Sequence, residues 1–519
     1  MSLFALLAAQ SNGPSFPANP NVHRTGDAAR GRDVFRFETF GNERFWTDAL
    51  RLPAGVIAAN VTPLRALQLG LHVDSDALPP ALAAAIIAEL RTDLSPTQAP
   101  LLNSVSTTVA LLNANAVIGL PAKDSNGDGR IDILSGDKVG ASCALCHTAT
   151  DASVFNSASG TIGRRLDGRA NHVLNFGSLV AAGTNSLAYY PVLQLSLTAN
   201  GGATLGRAPT GLTENSTEAQ ADAYLSNPAY YPVGMFDDTF DGNGDPMHNS
   251  ALFRTDLAAP WGTDGSIQFL DNFSNLVYTA LLDPTTLTTA GGRAFLQKLG
   301  GTAAGSEIAD DYAQILARTG VTGYPYVQAA AHPMPGTEAA PLGIRVDDGK
   351  LVDMNAYLNG LPAPAGVIDN NQGAIARGRE RFRINCTFCH NVDQSVFVPP
   401  AIVPMRRIFP GDNPTVLLQQ RVAPLNPIVD TAGNIFDDKM AVVNASQRGL
   451  ARGTALPLLL DLARKPNFLH DNSVPSLDAL LDPARGSTAP HPFFLRGTGQ
   501  RGDVVAFLRS LDTGANSGR

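Results

Sequence analysis

The chain is short of cysteine, tryptophan and basic charge. Its 519 residues include four cysteines and two tryptophans, and the formal net charge is −8. No tract of lysine or arginine is present that could track a phosphate backbone, so nucleic acid is not an expected partner. Long apolar runs are missing too. The longest uncharged stretches, 95–122 and 173–206, are interrupted by Asn, Gly and Pro, which argues against a membrane span. Glycine and proline are plentiful instead, at 49 and 36 residues, and predict many turns and long connections. Hydrophobic residues make up 44% and the mean hydropathy is near zero. A soluble globular chain of two or more domains is expected from this composition and length. The opening MSLFALLAAQS reads as the end of a secretory apolar region, so residues 1–28 are expected to be an N-terminal segment carrying the remnant of an export signal.

All four cysteines fall in two motifs, Cys143-Ala-Leu-Cys146-His147 and Cys386-Thr-Phe-Cys389-His390. Cys-x-x-Cys-His is the attachment signature of haem c. On one helical turn, positions i, i+3 and i+4 share a face. Two thiols can then add to the two vinyl groups of one haem, while the adjacent imidazole faces the iron as proximal ligand. A structural zinc site would bring its cysteine pairs within about 15–20 residues of each other, but these lie 243 residues apart in sequence. A thioredoxin-like site does not explain two histidines in register, and structural disulfides would not choose this spacing twice. Two covalently bound haem c groups are therefore expected. Their attachment implies assembly outside the cytoplasm, in a bacterial periplasm, which agrees with an export signal.

A second pattern repeats around the motifs. ARGRDVFR at 29–36 matches ARGRERFR at 376–383, and DMNAYLNGL at 353–361 matches DVVAFLRSL at 503–511. The aromatic and leucines of the second pair sit at helical spacing. Each copy therefore has an opening helix, a haem motif and a closing helix. The expected organisation is mainly α and loop-rich. A first haem domain at 29–361 carries large insertions, a Pro/Gly/Asn linker covers 362–373, and a second haem domain covers 374–519. The repeat predicts that the helix at 29–36 packs against the helix at 353–361, despite the distance in sequence.

The order of these parts resembles a class I cytochrome c domain. Taken together with LARKPNFLHDNSVPSLDALLDP at 462–483 and PWGTDGSIQFLDNF at 260–273, the chain resembles the bacterial di-haem cytochrome c peroxidase superfamily, which includes the methylamine dehydrogenase maturation enzyme and the rubber oxygenases. Asn472 stands where the family usually has glycine, and the tryptophan element carries two extra residues. The resemblance implies a haem oxidoreductase of the di-haem peroxidase-like class, with one haem as electron relay and one meeting peroxide or dioxygen. Electrons would come from a small redox protein or another donor. It also implies a tryptophan between the haems, for which Trp261 is the candidate. Peroxidase members carry a glutamate about twenty residues further on, to move the proton of hydrogen peroxide; here Asp283 is the candidate base. Two alternatives stay open: a non-enzymatic electron carrier with both irons six-coordinate, and an oxygenase acting on an apolar substrate.

The sixth position at each iron decides between them. His491 is the first candidate at the second haem, ahead of Met440 and Met405. His172 is the first candidate at the first haem, ahead of Met247 and His248, with a vacant iron as the alternative. His470 is expected as a hydrogen-bonding residue near a haem edge or the domain interface rather than as a ligand. Just before the first motif, DSNGDGRID at 124–132 has the spacing of an EF-hand-type calcium loop. Asp124, Asn126, Asp128, Arg130 and Asp132 are the candidate ligand positions. Position 12 is Ser135, with Asp137 two residues on. Asp241, Asn243 and Asp245 form a shorter version.

Overall fold

The computed structural model describes residues 26–195, 212–228, 231–236, 247–255, 261, 267, 269–331, 339–368, 371–386, 390, 402–404, 415–420, 439–443, 459–469, 472–487, 489, 491 and 493–511. Among the features expected above, most of the N-terminal segment, Cys389, Met405, His470, the 262–266 part of the tryptophan element and the 241–245 acidic stretch lie outside the described residues. The protein is mainly α-helical, with short strands paired two at a time and one three-stranded antiparallel sheet. That sheet joins Ile402–Pro404, Thr415–Gln420 and Lys439–Val443. Met440 lies within it, paired in register with Gln419.

Six helical segments position the motifs: α1 (Ala28–Phe37), α2 (Ala144–His147), α3 (Leu270–Leu276), α4 (Asp348–Gly360), α5 (Gln372–Asn385) and α6 (Thr498–Arg509). Local chemistry sets where they begin. The Asp27 carboxylate caps α1 by accepting from the amides of Ala29 and Arg30 at 2.9 and 3.0 Å. Asp347 caps α4 and Asn371 caps α5 in the same way. Such caps satisfy amides that the first helical turn leaves without partners.

The expected pairing is present: α1 packs on α4, and α5 on α6. Both pairs follow one rule. At the crossing of α1 and α4 a glycine, Gly31, approaches the carbonyl of Asp353 so closely that a Cβ would lie 1.8 Å from its oxygen. Gly378 and Asp503 repeat this in the second pair, at 1.9 Å. The preceding arginine meets the same aspartate, Arg30 to Asp353 and Arg377 to Asp503, each at 2.8 Å. These guanidiniums hold both carboxyls below the usual carboxylate range. One turn along, Phe35 meets Tyr357 with ring centres 6.0 Å apart at 51°, and Phe382 meets Phe507 at 5.6 Å and 53°. Residues four apart lie on one helix face, so the glycine, arginine and aromatic contacts together fix the register of each pair.

The buried apolar side chains form two clusters. One runs from Val34 to Leu358 and takes in Trp46, Trp261 and Tyr278; the other gathers Phe253, Ala363, Phe382, Leu459 to Leu481 and Val504 to Leu508. Leu361 touches both. The connecting segment after Leu361 is fastened rather than free. Val367 donates its amide to Arg509 at 2.8 Å, Arg464 donates to the Ala365 carbonyl at 2.9 Å, and the amide of Arg254 meets the Leu361 carbonyl at 3.0 Å.

Candidate functional site

The first motif forms a single helical turn held from three directions. The hydroxyl of Ser142, just before Cys143, donates to the carbonyl of Arg36 in α1 at 2.8 Å. Asn42 and Ala141 exchange two hydrogen bonds of 2.9 Å. The amides of Gly168 and Asn171 cap the carbonyls of His147 and Cys146, both at 2.9 Å. Gly119 makes room for the turn: at φ +81°, its Cβ would lie 2.1 Å from the Cα of Leu145.

This scaffold fixes the chemistry of the three motif side chains. The Nδ1 of His147 lies 2.7 Å from the carbonyl of Ser250. A carbonyl only accepts, so Nδ1 carries the proton and Nε2 keeps its lone pair. Burial pushes the His147 pKa down to about 4, and the ring is therefore neutral near pH 7. Neither Cys143 nor Cys146 is in a disulfide. Burial pushes them up to about 11 and about 12, so neither is a thiolate at neutral pH. The thiol of Cys143 donates to the Tyr278 hydroxyl at 3.3 Å, which in turn donates to the Glu38 carbonyl at 3.2 Å.

The second motif continues α5. The amide of Cys386 bonds to the Phe382 carbonyl at 2.8 Å and that of His390 to the Cys386 carbonyl at 2.9 Å. The ring of His390 lies against Phe382, with centres 6.4 Å apart, and faces His491 with centres 6.0 Å apart at 53°. His491 sits in the left-handed region at φ +54°, a conformation that costs a non-glycine residue on the order of 1–3 kcal/mol and persists where its surroundings impose it. Its Nδ1 is sealed from solvent and has no hydrogen-bond partner among the described residues. Burial, then His390 and Arg485, push its pKa down to about 3.

The loop containing the LHDNSVP element is closed by a bridge in which Phe468 and Val474 exchange hydrogen bonds of 2.7 and 3.3 Å. Within it Asn472 has φ +56°. This accounts for asparagine where glycine was the expected residue, because both tolerate the left-handed region. Asn472→Ala should cost about 1 kcal/mol and Asn472→Gly little. Urea unfolding of both variants checks this, and equal stability would contradict the account.

Trp261 is buried, bridges to Ile267 through bonds of 2.6 and 3.1 Å, and lies 6.4 Å from the ring of Phe273. Its indole nitrogen has no partner among the described residues. Asp283 is fully buried as the cap of a short helical turn. One of its oxygens takes the amide and hydroxyl of Thr285, and the other takes the amides of Tyr326 and Val327 at 2.9 and 2.7 Å. Desolvation raises its pKa against the lowering effect of these bonds. The carboxylate thus serves to pin two chain segments together.

His172 lies against His248, with ring centres 6.2 Å apart, and Lys465 Nζ reaches His248 Nε2 at 2.9 Å. In the acidic loop the carboxylates turn toward backbone amides. Asp124 accepts from Gly127 and Gly129, Asp128 from Arg130, and Asp137 from Ser125, Asn126 and Asp132. Asn126 likewise accepts from Asp128, and Asp132 from Leu134. Among the described residues, no three of His, Cys, Asp and Glu converge as metal ligands would.

Sequence reasoning missed Ser250, Tyr278 and Lys465. Ser250 acts through its carbonyl, which leaves no mark in the residue type. Lys465 stood inside the quoted LARKPNF stretch but had no partner visible from sequence.

No protein-family description matches the chain, and no curated protein does. One solved structure is similar, the hydrazine synthase of Kuenenia stuttgartiensis in a form pressurised with xenon. It is 13% identical, with 63% of this chain and 88% of that chain covered and a TM-score of 0.26. A likeness this loose carries no argument about function. No helix among the described residues is long and apolar enough to cross a membrane.

Proposed function

We propose that this protein is an exported di-haem c-type cytochrome that works as a peroxidase-like oxidoreductase. Its two haem domains would be 29–361 and 374–519. The observation that carries this reading is the duplicated clamp: the same Gly–Asp, Arg–Asp and aromatic contacts stand beside each Cys-x-x-Cys-His motif. The residues present fit a haem c. At the first motif, two thiols and one neutral imidazole share a helical turn, and the bond from Nδ1 to Ser250 aims Nε2 away as a ligand, as the partner of a metal-bound histidine does. At the second, the centres of His390 and His491 lie 6.0 Å apart. That spacing would let the two imidazoles hold one haem between them. Bound haem supplies one-electron chemistry.

His390 and His491 would together hold the second haem, and that haem would serve as the relay. The His147 site would be the candidate reaction centre for peroxide or dioxygen. Trp261 is the candidate relay residue, and a small redox protein the candidate donor.

A pyridine haemochrome spectrum of the purified chain tests haem attachment, and its absence would overturn the reading. The oxidised protein should show one low-spin and one high-spin signal in electron paramagnetic resonance. His491→Ala should convert the low-spin signal to high-spin, and an unchanged spectrum would remove His491 as ligand. Two low-spin haems inert to peroxide would leave the electron-carrier alternative.

A further inference from the structure

The loop that caps the first motif also carries two basic side chains, Arg169 near Asp461 and Arg464 and His172 near Lys465. The Lys465 ammonium reaches His248 Nε2 at 2.9 Å and lies 5.9 Å from the centre of the Phe468 ring. Among the described residues no carboxylate pairs with it. Arg169 feels Asp461 and Arg464, but Asp461 already holds Arg464 at 2.5 Å. Two arginines thus share Asp461, and Lys465 has no carboxylate of its own among the described residues.

The framework around these side chains is rigid. The strand at Met247–His248 pairs with Met235–Phe236. Asn249 donates from its side chain to the Asn171 carbonyl at 2.8 Å. Gly234, at φ +74°, packs so tightly that a Cβ would lie 2.1 Å from the His172 carbonyl oxygen. The Nδ1 of His172 is sealed from solvent without a hydrogen-bond partner. A desolvated cation without an anion costs several kcal/mol, and an orphaned ring nitrogen adds to that. Burial draws Lys465 down to about 8, which still leaves it mostly protonated at pH 7.

We propose that Arg169, His172, His248 and Lys465 form a carboxylate-binding site. An ammonium, a planar guanidinium and a ring nitrogen are a donor set that a carboxylate satisfies through charge-assisted bonds. Two sources share this chemistry: a propionate of haem bound at Cys143 and Cys146, or a free small carboxylic acid. The first rests on the function proposed above. It is favoured by position, because residues 168–171 also cap the carbonyls of Cys146 and His147.

Two measurements on the full chain test the site. Resonance Raman spectra of the haem-loaded protein should show a shifted propionate bending band in Lys465→Met, restored in Lys465→Arg. Titration with sodium propionate, followed by melting temperature, should be flat for the wild type if the haem carboxylate occupies the site. A saturable rise in melting temperature, lost in Lys465→Met and in Arg169→Gln, with an unchanged Raman band identifies a free carboxylate instead. An unchanged Raman band together with a flat titration overturns the site. A negative haemochrome spectrum removes the proposed function but not the titration, which then decides the site alone.

Discussion

Asp271→Ala is expected to destabilise the protein by about 3 kcal/mol, the low end for breaking a buried ion pair, because Arg345 keeps Asp348 as its remaining carboxylate. Arg345 and Asp271 both have side-chain exposures of 0% and meet at 2.7 Å. Arg345 also donates to Asn272 Oδ1 and to the Ala339 carbonyl, each at 2.9 Å, and pairs with Asp348 in the first turn of α4. Nearby, Asn275 binds the Ile344 carbonyl and the Val346 amide, both at 2.9 Å. This polar cluster fastens the start of α4 to α3. The consequences extend to the first motif, since α4 holds α1, and the Arg36 carbonyl of α1 holds Ser142 beside Cys143. The urea midpoint should fall, and haem attached to the Cys143 peptide should decline before haem on the Cys386 peptide. The pair Asp271→Leu with Arg345→Met should recover most of the loss, because apolar replacement of a buried ion pair is often neutral or favourable. An unchanged midpoint in Asp271→Ala would show that the cluster does not hold α4.

The helix pairs were legible because their information is local and repeated. Arg30 and Asp353, like Arg377 and Asp503, stand at matching positions in two written copies, and the aromatic spacing gives the buried face. His491 was singled out because it follows the LHDNSVP element; its approach to His390 depends on a left-handed backbone that residue type does not announce. Asp283 was expected near the chemistry because of its distance in sequence from Trp261. Its oxygens instead hold Thr285, Tyr326 and Val327, and the contacts across the chain come from tertiary packing that no short pattern encodes. Lys465 and His248 are separated by 217 positions; only folding brings them together. The spacing of the acidic loop is common to calcium loops and to Asx turns, in which the same carboxylates satisfy backbone amides.

Gly31→Ala and Gly378→Ala should each destabilise the chain by about 2–3 kcal/mol, against the usual expectation for a helix interior. There, replacing glycine by alanine normally stabilises by about 0.5–1 kcal/mol. At these two positions the new methyl group would lie 1.8 and 1.9 Å from a backbone carbonyl oxygen. Backbone cannot rotate aside as a side chain can, so the helices must separate, and overpacking of this kind costs about 1–3 kcal/mol or more. Separation would also lengthen the contacts of Arg30 and Arg377 with their aspartates and part the aromatic pairs. Gly373 in α5 provides the control, because a Cβ there meets only Arg377 Nη1 at 3.2 Å and Asn371 Oδ1 at 3.5 Å, and flexible side chains can move. Gly373→Ala should be neutral or mildly stabilising. Urea unfolding of the three variants measures the difference. If Gly31→Ala behaved like Gly373→Ala while Gly378→Ala did not, the two helix pairs would not be equivalent, and the case for two copies of one haem-binding unit would lose its main support.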